Sequence, residues 1–284
     1  MVILYNATGG WPVRWANVLA STKNASRAVR NNCGSVVAGE WVQGTLIIDS
    51  DFNNPNTTNE TILKKASCVR ADYIVPKDYP GEDYRATIDS IMNCFKEHKL
   101  ELCGPNAIRM MVPLQPDSRG SYEPCFLGLK PLISEGFTYF GLGGLVSFSR
   151  GEQLRRIRDG TKLLASHHLK THLFGIYPKL QILQFIYKHQ EIIYSLDTTV
   201  MEAAALLGRI LDMNLQPHPV GKTLGEGSTK MRYRLAEYNL EMVNAVLNNP
   251  QIGKPTKCKG GPMQEIKTGR KDFDNNHVLE DFNK

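Results

Sequence analysis

Residues 191–200 read EIIYSLDTTV. A β-branched, apolar run, Ile192-Ile193-Tyr194, is stopped by Ser195, and Asp197 follows two residues later. Such a run reads as a buried strand, and the acid then stands where the strand leaves the core. A single carboxylate there is explained as well by a turn or a helix cap as by chemistry. Its meaning depends on whether other strands of the chain end in the same way.

They do. Short apolar runs recur as VILYN (2–6), TLIID (45–49), DYIVPKD (72–78), IRMMVPLQ (108–115), FTYFGLGG (137–144), THLFGIY (171–177) and IIYSLD (192–197). Between them lie ATIDSIMNCFKEHKL (86–100), EQLRRIRDGTKLLASHH (152–168) and LQILQFIYKH (180–189), whose apolar residues recur at helical intervals. Strand–helix alternation with a repeat of roughly 30 residues is the mark of parallel βαβ units. Seven strands are visible, and an eighth, irregular or poorly marked, is expected. After Asp197, MEAAALLGRILDM reads as a strong helix, NLQPHPVGKTLGEGSTK as a long loop and RYRLAEYNLEMVNAVLNN as another helix. The expected fold is α/β, a single-domain TIM-like (β/α)8 barrel over residues 1–250, with an open doubly wound sheet as second choice. In residues 251–284 Lys, Gly and Asn dominate and periodicity fades, so an irregular, polar C-terminal extension is expected.

Composition narrows the class. Of 284 residues, 42% are hydrophobic, enough for one sizeable core. No apolar stretch reaches the length of a membrane span, and MVILYNATGGWPVRW lacks the basic start and long apolar region of a signal peptide. A cytoplasmic, membrane-free protein is expected. The six cysteines form no C-x-x-C pair, which argues against a zinc site or a disulfide framework and leaves most as small core residues. A net charge of +6 favours polyanionic partners without proving one.

Asp49, Asp78, Gln115, Gly143-Gly144 and Asp197 each stand at the C-terminal end of an expected strand. In a parallel barrel those ends share one rim, where such folds place their chemistry. Asp197 and Asp49 are the candidate pair: carboxylates on two sides of a sugar break a glycosidic bond, one attacking the anomeric carbon and one moving a proton. Asp51 competes with Asp49 for that role. Asp78 and Gln115 look like base readers, since a carboxylate accepts from ring N–H and exocyclic amine groups while an amide donates to a carbonyl. Asp72 competes with Asp78 but opens its strand. GLGGLVSFS (141–149) matches no phosphate-binding loop; its missing side chains suit backbone contact with a flat ligand. His167, His168 and His172 have no metal-pair spacing, and no metal is expected. Lys230, Arg232 and Arg234 beside Tyr233 suit phosphates and a stacked base, or a solvated helix start. Trp11, Arg14 and Trp15 read as core or lid packing.

These residues, in this order, resemble the tRNA-guanine transglycosylases, which exchange guanine for a 7-deazaguanine. LIIDSDF is similar to the family's D-S-G-G-F segment, IVPKDYP to the strand with the base-reading Asp, and VPLQ to its V-Q-G strand. YFGLGGLVS is similar to Y-x-I-G-G-L-x-x-G, and IIYSLDTT to the strand ending in the nucleophilic Asp. The resemblance covers roughly residues 1–212. The family's zinc motif, C-x-C-x-x-C with a later His, has no counterpart, and TTVMEAAALLG replaces the segment after the nucleophile. A short, zinc-free chain resembles instead the branch that inserts 7-deazaguanines such as preQ0 into DNA, found in phages and bacterial DNA-modification clusters.

The resemblance implies a pentosyltransferase, with DNA and a 7-deazaguanine as partners, tRNA as the alternative polymer, and no cofactor. It implies Asp197 as nucleophile, Asp49 as acid/base, and Asp78, Gln115, Gly143, Gly144 and Leu145 as the base pocket. A homo-oligomer or partner modification proteins are compatible with it. A barrel N-glycoside hydrolase with water as acceptor and a non-catalytic nucleic-acid-binding barrel are the rivals.

Overall fold

Adjacent residues along each short strand divide between two apolar clusters, and this division builds the fold. Leu4, Val18, Leu46, Ile48, Ile74, Met110 and Val112 belong to the larger cluster. Their neighbours Tyr5, Leu19, Ile47, Val75 and Met111, with Tyr139, form a smaller one. Period-two alternation with both faces apolar is what a parallel sheet between an outer helical layer and a packed interior requires. Burying one such side chain stabilises by about 1.5–3 kcal/mol, so the strands are held from both faces.

The computed structural model describes residues 2–8, 14–105, 107–145, 149–220 and 229–249. Its strands are β1 (Ile3–Thr8), β2 (Val18–Ala20), β3 (Gly34–Val37), β4 (Glu40–Gln43), β5 (Leu46–Ile48), β6 (Tyr73–Ile74), β7 (Arg109–Met110), β8 (Val112–Leu114), β9 (Tyr139–Leu142), β10 (Lys170–Leu173), β11 (Ser195–Thr198), β12 (Arg209–Leu211) and β13 (Pro217–Pro219). One nine-stranded sheet runs β7-β6-β5-β2-β1-β11-β10-β9-β8, with every neighbouring pair parallel. Its two end strands, β7 and β8, are separated in the chain by Met111 alone, whose N–H donates to Ile74 O at 2.9 Å. The sheet therefore nearly closes into a barrel, with the chain at Met111 passing from one edge to the other.

Helices α2 (Asn59–Val69), α3 (Tyr84–Glu97), α4 (Lys99–Cys103), α5 (Glu123–Leu129), α6 (Pro131–Ser134), α7 (Arg150–Ala165), α8 (Leu180–Lys188) and α9 (Val200–Leu206) connect or follow the later strands; α1 (Arg27–Asn32) precedes the β3–β4 hairpin. Thr58 starts α2 with a reciprocal cap: its hydroxyl accepts from Thr61 N–H, and Thr61 Oγ1 accepts from Thr58 N–H. The long helix α10 (Thr229–Asn248) packs on α9, α8 and β12. Among the described residues no helix is long and apolar enough to cross a membrane.

Several expectations need correction. The sheet has nine strands, and one that no apolar run announced is β2, three buried residues, Val18-Leu19-Ala20, between β1 and β5. The helix expected over 201–213 stops at Leu206: Gly208 takes a left-handed φ of 63°, and β12 turns back on β13. β11 runs Ser195–Thr198 rather than 192–197, so the apolar residues 192–194 precede it and Asp197 lies inside the strand. Polar residues are tolerated in that strand because Ser195 and Asp197 share one face and find hydrogen-bond partners on it. Of the cysteines, Cys33, Cys94 and Cys125 are buried, but Cys68 and Cys103 are exposed. Cys258 and the extension 251–284 lie outside the described residues, as does Trp11. Trp15 is buried, while exposed Arg14 lies over the Trp41 ring of the hairpin.

Gly141 shows how tightly the interior is filled. A Cβ added there would sit 2.1 Å from Cε2 of Phe174. Gly141→Ala is expected to destabilise the protein by about 1–3 kcal/mol through overpacking. Urea unfolding should show a lower midpoint with an unchanged slope.

Candidate active site

Parallel strands bring their C-terminal ends to one rim, and the rim of this barrel is acidic. Asp49 follows β5, Asp78 lies beyond β6, Gln115 follows β8, Gly143–Leu145 follow β9, and Asp197 sits in β11. Asp78, Gln115 and Asp197 are 5%, 1% and 3% exposed, deep for two carboxylates and an amide. Asp49 keeps a partial opening to solvent although protein atoms crowd around it.

Asp49 feels the other two carboxylates. Burial first, then the charges of Asp78 and Asp197, push the Asp49 carboxyl up to about 7; the Ser50 N–H, 2.9 Å from Asp49 Oδ1, only partly offsets this. All three acids lie at or beyond the C-terminal ends of strands of the one parallel sheet. The Asp78 carboxyl is also raised, chiefly by burial, with Ser50, Gln115 and the Lys77 ammonium pulling the other way. Lys77 is itself buried, and its Nζ donates to the carbonyls of Asp51, Phe52 and Asn54 at 3.1, 3.1 and 2.8 Å. One ammonium thus braces the loop that carries Asp49. Burial holds the Lys77 pKa below its ordinary value, against the pull of Asp51, Asp78 and Asp49.

Asp51, the competitor of Asp49, is occupied within this loop. Its backbone is left-handed, at φ 51°, and its Oδ2 accepts from Thr22 Oγ1 at 2.9 Å and Thr57 Oγ1 at 3.3 Å. Asp72 lies at the other end of its strand, where it pairs with Arg30 at 2.8 Å and accepts from Leu46 N–H. Thr198 Oγ1 accepts from Val200 N–H at the start of α9, so Asp197 has no capping duty there.

Asp78 and Gln115 form a unit. Gln115 Nε2 donates to Asp78 Oδ2 at 2.6 Å, while Asp78 Oδ1 and Gln115 Oε1 are buried without a protein partner. Buried acceptors in that condition are costly unless something donates to them. The amide stacks over Gly143, where an added Cβ would meet Gln115 Nε2 at 2.3 Å. Gly144 takes a left-handed φ of 63°. Around this turn some backbone groups are already committed: Gly143 N–H donates to Leu114 O, Gly143 O accepts from Tyr122 OH, and Leu145 O accepts from Gln153 Nε2.

Asp197 has a partner that the sequence alone did not suggest. His172 Nε2 lies 2.9 Å from Asp197 Oδ1, and Gly175 N–H donates to the same oxygen at 3.0 Å. His172 Nδ1 lies 2.7 Å from Ser195 Oγ, which in turn bonds Tyr139 OH. In THLFGIY the histidine occupies an ordinary strand position, and only the register that sets it opposite Ser195 reveals its role. Among the described residues no group of three or more His, Cys, Asp or Glu side chains forms a potential metal site.

The basic cluster is separate from this buried set. Arg232 and Arg234 are exposed on α10, Tyr233 packs against the core, and the Lys230 side chain lies outside the described residues. A distinct surface hollow of about 420 Å³ lies between the 119–123 segment and α7, lined by Arg119, Tyr122 and Arg155 among others. It holds none of the rim acids.

Asp78→Asn removes one of the charges that raises Asp49. The Asp49 carboxyl is expected to titrate lower in this variant, as read by carbon NMR of the labelled carboxylate. Because the raised pKa penalises the ionised folded state, the contribution of Asp49 to stability falls as pH rises from about 4 through 7. Asp49→Asn should therefore melt higher than wild type at pH 8, by roughly 2–4 kcal/mol, with the advantage shrinking as pH falls toward 4.

No protein-family model matches this chain, and no curated protein matches its sequence; the site is read from its own geometry.

Proposed function

We propose that this protein is a base-exchange transglycosylase that replaces guanine in DNA with a 7-deazaguanine. The observation that carries this reading is the buried Asp78–Gln115 pair with two unpartnered acceptors, on the same strand-end rim as Asp49 and Asp197. Guanine and 7-deazaguanine share an edge with adjacent donors, N1–H and the 2-amino group, which complements the acceptors Asp78 Oδ1 and Gln115 Oε1; the Gln115 Nε2, expected to donate to the base carbonyl, donates to Asp78 Oδ2. Donation from that edge would favour the ionised form of Asp78 and so offset its burial. In architecture we read residues 109–114 as one strand interrupted at Met111, which makes the barrel a (β/α)8 ring with its chemistry at the C-terminal rim.

The exchange runs in two balanced steps. A target guanine is flipped out of the duplex at a cost of about a few kcal/mol. An Asp197 carboxylate oxygen attacks C1′ of the deoxyribose as the C1′–N9 bond breaks; the bond's electron pair leaves with guanine, and Asp49 supplies its proton. The products are an Asp197–deoxyribose ester and free guanine. A 7-deazaguanine then occupies the same pocket, gives its N9 proton to Asp49 and attacks C1′ as the ester bond breaks. One glycosidic bond replaces another, so no nucleotide cofactor is needed. A carboxyl poised near 7 suits Asp49, which must be an acid in the first step and a base in the second. Asp51, held by two threonines, is the poorer candidate. Arg232 and Arg234 would contribute phosphate contacts.

Incubation with guanine-containing duplex DNA, tRNA and a labelled 7-deazaguanine tests the reading. Label is expected in digested DNA, and none in Asp197→Ala, which should also lose a trappable protein–DNA adduct. Label in tRNA alone would move the substrate to RNA. Free guanine without incorporated label would mean a hydrolase. No release and no label with either polymer would remove the enzymatic reading altogether.

A further inference from the structure

We propose that His172 is a positioning residue for Asp197, fixing which carboxylate oxygen faces the sugar and steadying the carboxylate when it is the leaving group. This rests on the transglycosylase reading above. His172 is 0% exposed and lies in the barrel interior, edge-on to Tyr5, Tyr139 and Phe174. A polar ring in such a place is expensive unless both nitrogens are satisfied. Both are: Nε2 meets Asp197 Oδ1, and Nδ1 meets Ser195 Oγ.

The spacing follows from strand geometry. Ser195 is the register partner of His172 on the neighbouring strand, and Asp197 lies two residues further along the same face. The imidazole therefore bridges two successive inward positions of β11. With Asp197 ionised, Nε2 carries the hydrogen and donates, which makes Nδ1 an acceptor for the Ser195 hydroxyl. Ser195 Oγ then accepts from Tyr139 OH. Every bond in the chain Tyr139–Ser195–His172–Asp197 points its donor toward the carboxylate, so the relay fixes one tautomer.

Two consequences follow for the exchange. His172 and the Gly175 N–H both land on Oδ1, so Oδ2 is the oxygen turned to the substrate. Holding a nucleophile in one orientation is worth a large factor in rate, and a small misplacement costs roughly 100-fold. When Oδ2 bonds to C1′, the charge of Asp197 disappears; when the ester breaks, the charge returns on a group whose Oδ1 is already bonded by two N–H donors. The donors therefore favour departure of the carboxylate in the second step.

The test compares wild type, His172→Leu and His172→Gln for steady-state exchange with DNA and a labelled 7-deazaguanine, beside melting curves. A glutamine amide can place an N–H near where Nε2 stands; leucine cannot. The expected result is a kcat roughly 100-fold lower in the leucine variant, a KM for the free base within about threefold of wild type, and recovery of at least about tenfold in the glutamine variant. Nitrogen NMR of the wild-type imidazole should show hydrogen on Nε2 and none on Nδ1. That measurement decides the matter if His172→Leu does not fold, since an Nδ1–H tautomer overturns the proposal. A folded leucine variant with kcat within about threefold of wild type overturns it as well. So does equal loss in both folded variants, which would mean a packing role alone. Absence of exchange by wild type on either polymer fails the parent reading, and this one with it, and is recognised before any variant is compared.

Discussion

Burial of carboxylates at the C-terminal rim of one parallel sheet is the constraint on which the rest of this structure depends. Burial pushes Asp49 and Asp78 toward the neutral form, and the partners around each acid decide how its charge is carried. Among the described residues, Asp197 receives two N–H donors on one oxygen, Asp78 receives the Gln115 amide, and Asp49 receives the N–H of its own neighbour. The least supported of the three is the one whose proton is held near neutrality. Different supports for chemically identical groups give the acids of one rim different environments. The Lys77 ammonium completes the balance from beneath, placing a positive charge near the acids while tying down the loop that holds one of them.

Much of this was legible in the sequence, for physical reasons that can be named. Strands buried on both faces show as continuous apolar runs, so TLIID, IVPKD, MMVPLQ and YFGLGG reveal both the strand and the residue at its end. Strand β2 was invisible because three residues, Val18-Leu19-Ala20, are too few to show a period. The β3–β4 hairpin escaped because its strands are largely exposed and lack a polar face, with Val36, Val37 and Val42 open to solvent. Its two-residue turn, Ala38-Gly39, is left-handed at both positions, a conformation that an alanine does not advertise. Helix 201–213 was overextended because Gly208 and β12 break a pattern whose composition is helical.

The candidate site divides along the same line. Positions at strand ends could be read because backbone topology alone sends them to one rim. His172 and Ser195 could not, since their contact comes from register between two strands, a relation between residues 23 apart that leaves no mark on either local sequence. The pairing of Gln115 with Asp78 was equally hidden; the sequence suggests two independent readers, whereas the fold joins them into one hydrogen-bonded surface. Chemistry built from single residues is visible early, and chemistry built from pairs waits for the fold.

Strand β1 is bonded on one side to β2 and on the other to β11, from Ile3↔Ser195 to Asn6↔Thr198. A chain emerging from its N-terminus must therefore keep the open edge of its first strand unpaired until almost two hundred residues have followed. Every early intermediate carries that sticky margin, and long-range closure of this kind is slow to pay back its loop entropy. Synthesis of this protein accordingly places its greatest exposure to misassociation before Ser195 appears, and the last inward-facing strand, the one bearing Asp197, is also the stave that seals the cask.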